Sequence, residues 1–194
     1  MKIAIVDYGV GNLFSLCSSF HAIGADAAVT GDAAALRAAD KIILPGVGAF
    51  ADAAMKLRAN GLDRLLIEEA HKDKPILGIC LGMQLLLEKS FEYGAHAGLS
   101  LIRGNVESIA PLAGELKIPH IGWNALLFPK NKHPLFQNTR EGDCVYFVHS
   151  YAATGCAPNV IARTEYGAPL TAAIARDNVM GVQFHPEKSG EVGV

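Results

Sequence analysis

The sequence predicts an α/β fold: an open, mostly parallel central sheet with helices on both faces and an antiparallel extension. Three observations lead there. Short apolar runs bounded by turn residues, KIAIV (2–6), DKIILP (40–45) and PILGI (75–79), read as buried strands. Segments of helical character separate them, and parallel strands need such crossovers because hairpins cannot join them. In the second half, strand-like stretches follow one another across turn residues with little helix between them.

In order, KIAIV stops at Asp7 and a run of glycines. Asn12 stands where it can N-cap LFSLCSSFHAI, and Gly24 where a C-cap glycine belongs. DAAVT (26–30) is a weaker strand, and DKIILP ends at Pro45. Residues 50–71 are helical with a break at Asn60-Gly61, and PILGI runs straight into the helical LGMQLLLEK. LIRGNVESI, KIPHIGWNALLF, DCVYFVHSYA, NVIARTEYG, PLTAAIARDN and VMGVQF then extend the same sheet. With no repeat or linker, residues 1–194 are expected to form one domain.

The chain has 194 residues, 51% of them hydrophobic, and a formal charge of −2. That length allows a substantial core. The balanced charge offers no electrostatic case for nucleic acid or an anionic membrane. No apolar run approaches the roughly 20 residues that cross a bilayer. The apolar start of MKIAIVDYGVGN ends at Asp7, too soon for a signal peptide, so a cytoplasmic location is expected. Cys17, Cys80, Cys144 and Cys156 lie far apart without metal-ligand spacing, so no metal site is expected. Three of them read as small buried hydrophobes.

Cys80 is the exception. In PILGICLGMQLLL (75–87) a buried strand, a Gly-x-Cys-x-Gly turn and a helix follow without interruption. This is the cysteine counterpart of a nucleophile elbow, in which small residues flank a side chain exposed on a sharp turn. Unpaired N–H groups at the helix start favour a thiolate there. A tight strand–helix turn holding an inert cysteine fits this segment alone equally well. GVQFHPEKSG (181–190) shifts the balance: it ends a strand with His185 and Glu187 two residues apart, on one side by strand alternation. Cysteine nucleophile, histidine base and carboxylate orienter make a triad. In LPGVGAF (44–50), Gly46 and Gly48 free the backbone at the carboxyl end of a strand, where open α/β sheets bind ligands. Its N–H groups, with that of Leu81, suit an oxyanion hole.

Together PGVGAF, GICLGMQ and GVQFHPE resemble the class I (triad) glutamine amidotransferases. IVDYGVGNLFS (5–15), IPHIGWN (118–124), VYFVHSYA (145–152) and FHPEKSG (184–190) resemble, within that family, the glutaminase subunits of imidazole glycerol phosphate synthases. The resemblance covers the chain nearly end to end. It implies that Cys80 attacks the glutamine amide carbon, His185 shuttles the proton and Glu187 supports it. Val47, Gly48 and Leu81 are implied for the oxyanion. Gly46, Gln84, His149, Ser150 and Tyr151 are implied for the substrate, L-glutamine. Gln84 as a solvated helix residue and VYFVHSY as a plain two-faced strand are the structural alternatives.

The resemblance further implies ammonia delivery to a (β/α)₈-barrel cyclase/synthase subunit in histidine biosynthesis, with no cofactor. Asn12 and Trp123 are assigned to that partner's interface; Trp123, the only tryptophan, lies between poor strand formers, though a core role is the alternative. The glycines of residues 45–48 permit two backbone states, so Val47 N–H is expected to turn toward the oxyanion mainly in the liganded complex. The family usually continues through a short C-terminal helix beyond the point where SGEVGV ends, so a truncated end is expected. Another glutaminase subunit of this class, a Cys-His peptidase or esterase, and a binding-only pseudoenzyme are the competing functions.

Overall fold

β1 (Lys2–Val6) is buried at every position after Lys2, as a strand covered on both faces must be. In the computed structural model, which describes residues 1–129 and 131–193, helices and strands alternate behind it. They are α1 (Leu13–Ala22), β2 (Asp26–Thr30), α2 (Ala33–Ala38), β3 (Lys41–Leu44), α3 (Phe50–Ala59), α4 (Leu62–Ala70), β4 (Ile76–Ile79) and α5 (Leu81–Leu85). Then come β5 (Lys89–Ser90), β6 (His96–Ala97), β7 (Asn105–Ser108), β8 (His120–Ala125), β9 (Cys144–His149), β10 (Tyr151–Thr154), β11 (Val160–Tyr166), β12 (Ala168–Arg176) and β13 (Val179–Val182).

The central sheet runs β11-β12-β13-β4-β3-β1-β2. Strands β2, β1, β3, β4 and β13 pair in parallel, and β12 and β11 add antiparallel to the β13 edge. One face packs on α2, α3, α4 and α5 through residues such as Leu36, Leu57, Leu66 and Met83. The other packs on α1 through Leu16, and on β9 through Val145 and Phe147. No helix among the described residues is long and apolar enough to cross a membrane.

The antiparallel extension is real but smaller than expected. LIRGNVESI, KIPHIGWNALLF and DCVYFVHSYA stay out of the central sheet. Among the described residues β8 pairs only with β9, and β10 joins β7, β5 and β6 in a second sheet. Alternation reveals that one face of a strand is buried, not which sheet it pairs in. Here Val145 and Phe147 bury against the flat of the central sheet rather than lengthening its edge. At Ser150 the chain passes from one ladder to the other.

Three local expectations also change. Asn12 occupies the N-cap of α1 but its side chain makes no capping bond. At the other end Gly24, at φ 73°, closes the helix as foreseen, with Gly24 N–H donating to His21 O (2.9 Å) and Ala25 N–H to Phe20 O (2.9 Å). The helix after Cys80 stops at Leu85 instead of running on through LLEK. Its last carbonyls are taken by another segment: Leu99 N–H donates to Leu85 O (2.8 Å), Leu101 N–H to Leu86 O (2.9 Å) and Ser100 N–H to Leu87 O (3.1 Å). Finally, of the three cysteines expected inside, only Cys156 is buried; Cys17 is half-buried and Cys144 exposed.

Candidate active site

Cys80 stands between β4 and α5 at φ 54°, ψ −111°, a conformation that costs any L-residue energy. The flanking glycines explain how the turn closes. A Cβ on Gly78 meets Gly82 O at 2.6 Å, and one on Gly82 runs into the carbonyl of Leu44 on β3. Cys80 N–H donates to Val182 O (2.8 Å), so the turn is tied to the neighbouring strand β13. With five residues, α5 contributes little aligned dipole; the local N–H groups at its start remain available.

β13 delivers the second half of the site. His185 is buried, and its Nδ1 lies 2.8 Å from Glu187 Oε1. That bond leaves Nε2 as the nitrogen on the Cys80 side. The pairing does not arise from strand alternation as expected: residues 186–188 form a 3₁₀ turn, and the turn brings Glu187 back onto the ring. His185 N–H donates to Tyr146 O (2.9 Å), and Ser189 Oγ donates to His185 O (2.7 Å) while accepting from Tyr146 N–H (3.0 Å). Burial pushes His185 toward neutrality, but its interactions with Cys80 and Glu187 outweigh that and lift it to about 9.

A cleft of about 480 Å³ opens over these groups. Cys80, His185, Leu81, Val47, Gly48, Gln84, His149, Ser150 and Tyr151 all reach it. Gly46 does not line it; a Cβ there meets Leu81 Cβ and Tyr8 Oη at 2.9 Å, so this glycine lets the loop pack behind the elbow. Asn12 and Trp123 are also outside the cleft, and Trp123 is 63% exposed against the ring of Tyr146.

Three residues escaped the sequence reasoning. Glu92 is the one carboxylate on the cleft wall among the described residues, with one oxygen accepting from Phe50 N–H at 2.6 Å; its loop carries no periodic signal. His120 lies behind His149, the two rings 3.0 Å apart at Nδ1 and Nε2, and His149 Nδ1 donates to Tyr151 O (2.9 Å). Burial above all pushes His149 down to about 4, and His120 also down, so both rings are neutral near pH 7. Gln183 is fully buried beside the sulfur, with Nε2 3.7 Å from Cys80 Sγ. Its place two residues before His185 was the available clue.

A second groove, of about 180 Å³, lies on the opposite face between α1, Phe136 and Phe184. Its lining is overwhelmingly apolar. The cleft over Cys80 is where polar groups and a shifted imidazole converge, which marks it as the reactive one.

Comparison with known proteins identifies the family. The family model described as glutamine amidotransferase class-I matches residues 4–193. The imidazole glycerol phosphate synthase subunit HisH of Oceanobacillus iheyensis is 48% identical over 193 residues, spanning 99% of this chain and 94% of that protein. Those of Sulfurimonas denitrificans and Methanothermobacter thermautotrophicus are each 50% identical, spanning 99% of this chain and 93% of theirs. Among solved structures, a glutamine amidotransferase aligns with TM-score 0.76 at 16% identity, covering 98% of this chain and 93% of its own. PurLQS from Thermotoga maritima aligns at 0.75 and 19%, covering 99% and 94%. These last two likenesses are of fold.

Proposed function

The chain belongs to the class-I glutamine amidotransferases, and from that premise we propose that it is the glutaminase subunit of an imidazole glycerol phosphate synthase. It hydrolyses L-glutamine to glutamate and ammonia and hands the ammonia to a (β/α)₈-barrel cyclase/synthase subunit in histidine biosynthesis. One observation carries the chemistry: a cysteine on a strained turn shares one cleft with an imidazole that a buried carboxylate holds at 2.8 Å.

In this mechanism the Cys80 thiolate attacks the side-chain carbonyl carbon of glutamine. Leu81 N–H and one N–H of the Val47-Gly48 loop stabilise the oxyanion, each such donor being worth about 2.7–4 kcal/mol. His185 gives its Nε2 proton to the departing amine, the C–N bond breaks, and ammonia leaves a γ-glutamyl thioester. Water then loses a proton to the same nitrogen and opens the thioester to glutamate. Glu187 keeps His185 oriented and charged. Glu92 is suited to the ammonium group of glutamine, with residues 149–151 forming the adjacent wall. Gly48, at φ 89°, leaves the loop free to bring Val47 N–H toward the oxyanion when the partner is liganded.

The test is Cys80→Ala in the reconstituted two-subunit complex. Glutamine-dependent synthesis should vanish while synthesis from added ammonia persists, because only the ammonia supply is lost. Substantial glutamine-dependent turnover in that variant would contradict the assignment.

A further inference from the structure

Gln84 was expected to hold substrate, yet its amide nitrogen is already engaged inside the protein. It lies 3.1 Å from Tyr151 O and 3.0 Å from Gln183 Oε1. These contacts fix the direction of two amides. A backbone carbonyl only accepts, so the group facing Tyr151 O must be the NH₂ of Gln84. Its second hydrogen needs an acceptor, so Gln183 presents oxygen to it. The NH₂ of Gln183 is thereby turned to the other side, where the Cys80 sulfur lies 3.7 Å away. The reverse arrangement sets NH₂ against NH₂ and oxygen against sulfur, two unmet contacts in a fully buried place.

We infer that Gln183 donates a hydrogen bond to the Cys80 sulfur, and that Gln84 and the Tyr151 carbonyl act as positioning groups that aim it. This rests on the assignment of Cys80 as the nucleophile. The donor acts where the sulfur carries negative charge. That is the attacking thiolate, and again the breakdown of the thioester, when water's C–O bond forms, its proton goes to His185 and the C–S electron pair returns to sulfur. Gln183 faces the sulfur from the α5 side of β13, while His185 supplies and removes the proton.

Full-length Gln183→Met and Gln183→Glu, each assembled with the synthase subunit, test this. Met removes the amide; Glu keeps the shape and the oxygen toward Gln84 but sets a carboxylate oxygen on the sulfur. The pH at which iodoacetamide alkylation of Cys80 is half-maximal, read by peptide mass, should rise by about one unit in both. The kcat for glutamine hydrolysis should fall about ten-fold with KM within about two-fold. Gln84→Met should shift the alkylation profile in the same direction by less, since it releases the amide without removing it. An unshifted profile in folded Gln183→Met overturns the inference, as does an effect on KM alone. Should neither Gln183 variant fold, an unshifted profile in Gln84→Met overturns it. Full glutaminase activity in Cys80→Ala instead defeats the nucleophile assignment beneath it, so the two failures are distinguishable.

Discussion

Glu187 uses one carboxylate oxygen on His185 and leaves the other buried without a hydrogen bond among the described residues. An ionised oxygen in that position is tolerated when a positive charge lies beside it, which couples the two residues. Glu187→Gln keeps an acceptor for Nδ1–H and removes the charge. His185 then loses its proton at lower pH, so the alkaline limb of the kcat profile should move down in pH, and kcat fall about ten-fold or more. A pH–rate series on the assembled enzyme checks this; an unmoved alkaline limb refutes it. The histidines also affect stability with opposite signs. His185, raised to about 9, contributes stability that is full below its unfolded value near 6.5 and is lost as pH rises through about 9. His149, held down to about 4, is at full stability above about 6.5 and destabilises as pH falls toward 4, because the unfolded chain takes up the proton first. Relative to His149→Asn, the natural protein should lose on the order of 2 kcal/mol more between about pH 7.5 and 5 in urea titrations. Cys80, His185 and Glu187, proposed here as the triad, were legible in the sequence because their residue types and spacing are tied to chemistry. His120 and Glu92 were not, because only the fold brings Glu92 to the cleft wall and His120 behind His149.

At the level of elements, the elbow depends on the start of α5 approaching β3 and β4 closer than side chains allow. Gly82→Ala forces a methyl into the Leu44 carbonyl, and neither β3 nor β4, both inside the sheet, can move away. The variant should lose about 1–3 kcal/mol or more of stability and most of its glutaminase activity. Gly61→Ala is the control: Gly61 has φ 67° with open space around it, so it should cost about 1 kcal/mol and leave kcat intact. Equal effects of the two on kcat would show that the elbow is not special. Strands β1 to β4 and helices α1, α3 and α4 were legible because short apolar runs bounded by turn residues and Gly-marked ends are local signals. α2 went unassigned in the sequence; it is six residues long, too short for a periodicity, and is held by Asp32 accepting from Ala35 N–H at 2.8 Å. The early stop of α5 is likewise a tertiary effect, invisible before the 99–102 segment arrives.

Across the whole molecule, the second half was legible as strands but not as three separate ladders, since pairing partners are far apart in sequence. That arrangement has a consequence for the surface. One face of β8 exposes Ile121 and Trp123 together, 57% and 63% accessible. A core role for the tryptophan is thus excluded by its position. Neighbouring large apolar side chains in water mark a contact surface, and Trp is over-represented where such contacts carry energy. Trp123 is also placed to inform the site. It packs edge-on against Tyr146 at 4.8 Å between ring centroids, Lys188 Nζ lies 5.6 Å from the centroid of that same ring, and Tyr146 O holds the backbone of His185. We propose that a partner seated on Trp123 is linked through these contacts to the backbone of His185. Trp123→Ala should weaken binding of the synthase subunit by at least about 2 kcal/mol while barely changing the melting temperature of the free subunit, because little of the side chain is buried there. Calorimetric titration and thermal melts on the one variant measure both quantities. Undiminished affinity would place the interface elsewhere, and a large drop in melting temperature would mean that the Tyr146 contact serves the fold rather than the partner.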